Sequence, residues 1–149
     1  MKGKVEAVCI SKNKGERKTP VPTVTLLPNH GIEGDAHAGE WHRQVSLLAL
    51  ESIEKMQRLG LSVDAGDFAE NITTSGLNVN GLLPGERLRV GNVLLEVTTV
   101  CTPCDQLERI RPGLRRELYG RRGMLCRVLT GGSIRRGDAI ERLAIAASA

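Results

Sequence analysis

The sequence predicts a mainly β protein, a closed β-barrel with one or two short packed helices, built as a single domain over residues 1–149. Three observations predict it. Short runs of alternating or β-branched residues recur along the chain, each bounded by Gly, Pro, Asn or Asp, the pattern of many short strands joined by tight turns. One segment alone has a clear helical period, so the regular alternation of strands with helices of about 10–15 residues that a doubly wound sheet needs is missing. Finally, 149 residues, 40% of them hydrophobic, suffice for one core that buries roughly two-thirds of the unfolded surface.

In chain order, Lys4–Ser11 (KVEAVCIS) reads as the opening strand and Val21–Leu27 (VPTVTLL) as the second, with Gln44–Leu48 as a short third. The helix covers Ala49–Leu59. Leu50, Ile53 and Met56 share one face, Glu51/Lys55 and Glu54/Arg58 form favourable pairs four apart, and Gly60 suits the position just past the end. Arg87–Val90 and Val93–Val100 make a hairpin across Gly91-Asn92. A less regular helix is expected over Gly113–Tyr119. Met124–Leu129 and Ala139–Leu143 are the last strands, set apart by Gly131-Gly132 and Gly137-Asp138.

Composition narrows the function. Trp41, Phe68 and Tyr119 are the whole aromatic complement, too few platforms for stacking a nucleic-acid single strand, and no nucleic-acid partner is expected. No apolar run approaches the ~20 residues of a membrane span. The opening MKGKVEAVCI lacks the apolar stretch of a signal peptide, so the chain reads as cytoplasmic, with no membrane partner. The net charge of +4 is uneven: six basic residues against two acidic over 1–18, five against ten over 19–104, six against three over 105–122, and four against two beyond. An acidic middle followed by an Arg-rich stretch points to a local anion site rather than a uniform basic coat.

Four constellations are able to carry chemistry. Cys101-Thr-Pro-Cys104 follows the strongest strand pattern. It reads as a redox dithiol, as half of a zinc site without its second half, as two buried thiols, or as one functional thiolate with a bystander. A thiolate is a soft ligand for molybdenum, iron or copper and a good acceptor of sulfane sulfur. In Gly31–Gln44 (GIEGDAHAGEWHRQ), Asp35 and His37 stand two apart, on one face of an extended chain, and Arg43 offers a planar fork to an oxyanion; the alternative is a polar loop with Asp35 capping a turn. In Gly66–Ile72, Glu70 and Asn71 offer an acceptor and an amide, against plain turn chemistry. Arg109, Arg111, Arg115, Arg116, Arg121 and Arg122 form either a solvated face or a rim that attracts an anionic cofactor or partner.

In series, KVEAVCIS, GIEGDAHAGEWHRQVSLLALESIEK, GDFAENITTSGL, LLPGERLRVGNVLLEVTTVCTPC and MLCRVLTGGSIRRGDAI resemble the MOSC domain, the module named after the C-terminal part of molybdenum cofactor sulfurase, over about residues 1–143. The resemblance implies a closed MOSC-type barrel, a stand-alone member, and a role in molybdenum cofactor binding or sulfur transfer. Its key residue is a Cys preceded by Pro, here Cys104, as molybdenum ligand or persulfide site. Asp35, His37, Arg43 and Asn71 are the residues expected to line the pocket and bind a molybdopterin-type cofactor. Arg43 would contact the pterin phosphate or an oxo group, and His37 and Asn71 would hydrogen-bond pterin or substrate. A sulfur carrier needs a pyridoxal-phosphate-dependent cysteine desulfurase to load it. A molybdenum-dependent reductase of N-hydroxylated compounds needs a separate electron donor, because the chain has no flavin, haem or iron–sulfur motif. The third reading is a non-enzymatic binding module. Two positions depart from the family pattern: Cys101-Thr102 stand where a basic residue is common, and Leu125-Cys126 where an aromatic is common.

Overall fold

The computed structural model describes residues 2–101, 112–113 and 123–143. Its strands are β1 (Lys2–Ile10), β2 (Thr19–Val21), β3 (Thr23–Leu27), β4 (Gly31–Ile32) and β5 (Val45–Ala49), then helix α1 (Leu50–Arg58), β6 (Ile72–Ser75), β7 (Arg87–Val90), β8 (Val93–Val100), β9 (Met124–Thr130), β10 (Gly132–Arg135) and β11 (Ala139–Arg142).

Seven strands form a closed ring in the order β11-β7-β8-β9-β5-β6-β1, and β11 returns to pair with β1. The closing register is short: Lys2 opposite Glu141, Gly3 opposite Ile140, Lys4 opposite Ala139. Closure leaves the ring without the unpaired backbone edges of an open sheet. Alternation along the strands sends one set of side chains inward. Leu88, Val90, Val93, Leu95 and Val97 fill the barrel from β7 and β8, and Val5, Val45, Leu47, Ile72, Met124, Cys126 and Ile140 from the rest. All pairings in the ring are antiparallel except β5–β6, which is parallel, and a parallel pair needs a crossover. Helix α1 is that crossover. Ile53 and Met56 are buried with Leu48 and Val63 in a second, smaller cluster, and Leu50 only packs against its margin.

The hairpin β7–β8 has the residues expected of it. Other elements differ from expectation for physical reasons. Pro22 interrupts the run 21–27: β2 pairs with β1 alone, as an edge strand that tolerates Pro20, while β3 leaves for a separate sheet of order β10-β3-β4. Gly132 opens a strand, β10, instead of ending one. Of the helix expected over 113–119, only Gly113 is among the described residues. No described helix is long and apolar enough to cross a membrane.

Candidate functional site

The site is built where the end of β1, the link from β1 to β2, and the loop from β4 to β5 meet. Two side chains at its centre are wholly buried, Lys18 and Asp35, and their charged atoms stand 2.7 Å apart. A buried ion must have its hydrogen bonds supplied by the protein. Asp35 accepts from the Lys18 ammonium, from the Ser11 backbone N–H at 3.1 Å and from the His37 backbone N–H at 3.1 Å. Lys18 also donates to Ser11 Oγ and reaches His37 Nδ1, both at 3.0 Å. Asp35 therefore pins its own loop to β1, and the Ala36 N–H to Ser11 C=O bond of 2.9 Å repeats the attachment through the backbone.

Charge states follow from these contacts. Burial pushes the Asp35 carboxyl up. The hydrogen bond and charge of Lys18, with the two N–H donors, outweigh that and hold it below its ordinary value. Burial pushes His37 down, and Lys18 pushes it further, against a smaller opposing pull from Asp35.

Around His37 the loop makes a cationic, aromatic surface. The Trp41 indole N–H donates to the His37 carbonyl at 2.8 Å, and the two rings lie parallel with centroids 6.4 Å apart. Lys14 Nζ stands 4.6 Å from the Trp41 ring centroid and the Arg43 guanidinium carbon 5.9 Å from it, within cation–π range. Arg43 Nε is buried and, among the described residues, has no hydrogen-bond partner.

The loop then turns into β5. Thr98 Oγ1, at a bulge in β8, is within hydrogen-bond reach of the His42 carbonyl at 2.5 Å and of the Leu125 carbonyl at 3.0 Å. The neighbour of Arg43 thus abuts the strand that runs into Cys101. Cys101 is half-buried, and its N–H donates to Gly123 C=O at 2.9 Å. Cys104, Pro103 and the arginines 109–122 lie outside the described residues. Among the described residues, no group of His, Cys, Asp and Glu is arranged to hold a metal ion.

Asn71 stands in the barrel wall, and among the described residues its side chain bonds to Ser46 and Cys9 rather than to Lys18, Asp35 or His37. Its Oδ1 accepts from the N–H and the hydroxyl of Ser46, and its Nδ2 donates to Cys9 C=O at 3.1 Å. It ties β5 to β1 across β6, and one amide hydrogen remains for anything else. Glu70 is 3% exposed. Burial pushes its pKa up, against hydrogen bonds from Gly66 N–H, the Thr73 hydroxyl and Phe68 N–H. Gly66 has a packing duty. A Cβ there would stand 2.0 Å from Lys18 O, at a backbone φ of +89°, so only glycine lets this loop lie across the Lys18 backbone.

Sequence reasoning brought Asp35, His37 and Arg43 to one loop and missed Lys18, Ser11, Lys14 and Trp41. A buried carboxylate needs a cation, but nothing in the sequence marks which of the six basic residues among the first eighteen supplies it. Cys9 and Cys126 are buried, and burial, aided by Glu70, pushes the Cys9 thiol up to about 12.

A family model described as "MOSC domain" matches residues 34–141. Among solved structures, the YuaD protein of Bacillus subtilis superposes with a TM-score of 0.83 at 22% identity, covering 94% of each chain. YiiM of Geobacillus stearothermophilus gives 0.77 at 24% identity over 95% of this chain and 75% of its own. YiiM of Escherichia coli gives 0.70 at 21% over 97% and 70%. At these identities the likeness is one of fold. No protein of curated function matches the sequence significantly.

Proposed function

Because the chain belongs to the MOSC domain family, we propose that it binds a molybdopterin-type cofactor, with the Cys104 thiolate as the ligand to molybdenum. The observation that carries this reading is the orphaned Arg43 Nε. An N–H buried without a partner costs about 1–3 kcal/mol, and a ligand oxygen is what removes the cost. The donor set fits an anionic group. Arg43 offers a planar fork suited to phosphate, and Lys14 adds a point charge. When bound, the cofactor supplies a redox-active metal centre.

The chain's own residues do the rest. Arg43 and Lys14 hold the phosphoryl or oxo oxygens. Trp41 holds the His37 backbone and carries the Lys14 and Arg43 cations against its ring. The Lys18–Asp35 pair keeps the loop fixed on β1, so the donors are in place before any ligand arrives. Asn71 maintains the spacing of β1 and β5 behind them. Catalysis as a reductase of N-hydroxylated compounds would need electrons from a separate donor protein.

The test is elemental, pterin and persulfide analysis of protein made in a cofactor-producing host. Near-stoichiometric molybdenum with pterin is expected, lost in Cys104→Ala and reduced in Arg43→Ala. A labile persulfide on Cys104 without metal would replace this reading by that of a sulfur carrier, loaded by a pyridoxal-phosphate-dependent cysteine desulfurase. Absence of both would leave a binding module without redox chemistry.

A further inference from the structure

Among the described residues, Lys18 is the only Lys or Arg that is buried. Its ammonium has three hydrogens and three acceptors around it: Asp35 Oδ1 at 2.7 Å, Ser11 Oγ at 3.0 Å and His37 Nδ1 at 3.0 Å. A lysine ammonium donates and never accepts, so the Nδ1 facing it must present a lone pair. A proton on Nδ1 would set N–H against N–H, and a doubly protonated ring would also set cation against cation in a buried space. We propose that Lys18 is a positioning residue that fixes His37 as the neutral Nε2–H tautomer, so that the ring meets a ligand as a hydrogen-bond donor.

The surroundings agree from each side. Asp35 Oδ2 lies 3.9 Å from His37 Nδ1, beyond hydrogen-bond length, so the carboxylate does not claim that nitrogen. Lys14 and Lys18 from the β1–β2 link and Arg43 from the ring's own loop all oppose a second proton, and burial opposes it more; Asp35 alone favours it. Among the described residues, nothing hydrogen-bonds Nε2. The Trp41 bond to the His37 carbonyl restrains the residue that carries the ring. Among the described residues, His37 Nε2–H, Arg43 Nε–H and the Lys14 ammonium are then a set of donors with no acceptor, gathered about the Trp41 ring. Such a set selects a phosphoryl, oxo or carboxylate oxygen. It disfavours a bare cation, and it denies His37 the role of proton acceptor at Nδ1.

This assigns His37 its role within the cofactor-binding reading, and its test needs no cofactor. In the ligand-free full chain, nitrogen-15 NMR of the His37 ring between about pH 5 and 8 reads the tautomer directly. The expected result is a protonated Nε2 and an unprotonated Nδ1, with a titration midpoint below the ordinary 6.5. In Lys18→Met, both tautomers should be populated and the midpoint should rise. A wild-type ring protonated on Nδ1, or doubly protonated at neutral pH, would overturn the proposal. So would a Lys18→Met ring with unchanged tautomer and midpoint. Should that variant fail to fold, Lys18→Gln, whose amide oxygen can accept from an Nδ1–H, is read in its place with the same expected change and the same overturning result. Loss of the cofactor reading would leave this result standing, and the reverse holds as well.

Discussion

Breaking the Lys18–Asp35 pair tests the energetic claim at the centre of the site. Both side chains are fully buried, and Asp35 accepts three hydrogen bonds. Lys18→Met keeps the length of the side chain and removes the ammonium, leaving a buried carboxylate with only two N–H donors. Asp35→Asn keeps an acceptor and removes the charge, leaving a buried ammonium without its anion. Removing one partner of a buried pair costs about 3–5 kcal/mol, a large part of the ~5–15 kcal/mol that holds a domain together. With a urea slope of about 2 kcal/mol per molar, each single variant should lose roughly 1.5–2.5 M in its unfolding midpoint. The double variant should not lose twice that, because a neutral amide beside a methionine carries no stranded charge. A coupling of at least about 2 kcal/mol is expected from the cycle. Single costs below about 1 kcal/mol, or a cycle that closes additively within ~0.5 kcal/mol, would show that the pair is solvated and does not hold the loop.

Three further outcomes follow from positions already described. Ile53→Ala should cost about 2–4 kcal/mol and Leu50→Ala clearly less in the same urea titration, because the first is fully buried and the second marginal. Equal costs would misplace the helix face. In the native protein, Cys9 and Cys126 should react with a thiol reagent far more slowly than Cys101, since they are buried and their thiolates disfavoured; single Cys→Ala variants followed by mass spectrometry separate the sites. His37 has its folded-state pKa below 6.5, so the unfolded chain binds the extra proton first, and stability should fall as pH drops from about 6.5 toward the folded value. Asp35 adds a second fall below 3.8, as its depressed pKa is reached, whereas Glu70, with a raised pKa, contributes below 4.5 and loses that contribution as pH rises through its folded value. Urea midpoints across pH should show His37→Gln flattening the first fall alone, and an unchanged slope would contradict the assignment.

How much of this was legible in the sequence depends on how local each signal is. The β7–β8 hairpin was legible to the residue because alternation and a two-residue turn are properties of adjacent positions. The helix was legible to within a residue at each end. Strand β6 was not, because Ile72–Ser75 is buried on both faces and so does not alternate; its identity as a strand comes from β1 and β5 on either side. Strand β10 was hidden because two glycines read as a turn, whereas Gly131 is there to pass close to the Leu26 carbonyl. In the site, Asp35, His37 and Arg43 were legible as one loop. Lys18 was not: it is one of six basic residues in the first eighteen, and nothing local distinguishes the one that the fold draws inside. Asn71 was legible as a polar residue in an apolar setting, but only the fold shows that it spends its side chain on two strands.

The seam between β1 and β11 bears on how the molecule comes into being. Gly3 faces Ile140 across it, so the opening residues of β1 must wait for β11 before their outer edge is covered. A ribosome releases residues from one end only, and although β2 covers Val8–Ile10 at once, the Lys2–Lys4 stretch of that edge stays open until β11 emerges. The ring therefore cannot close until β11 has been made. Gly3 also fits so tightly against β6 that a Cβ would stand 2.6 Å from the Ser75 carbonyl. A side chain at that position would hinder the step on which the whole ring depends, and its penalty would fall first on the yield of folded protein and only afterwards on anything measured with the finished molecule.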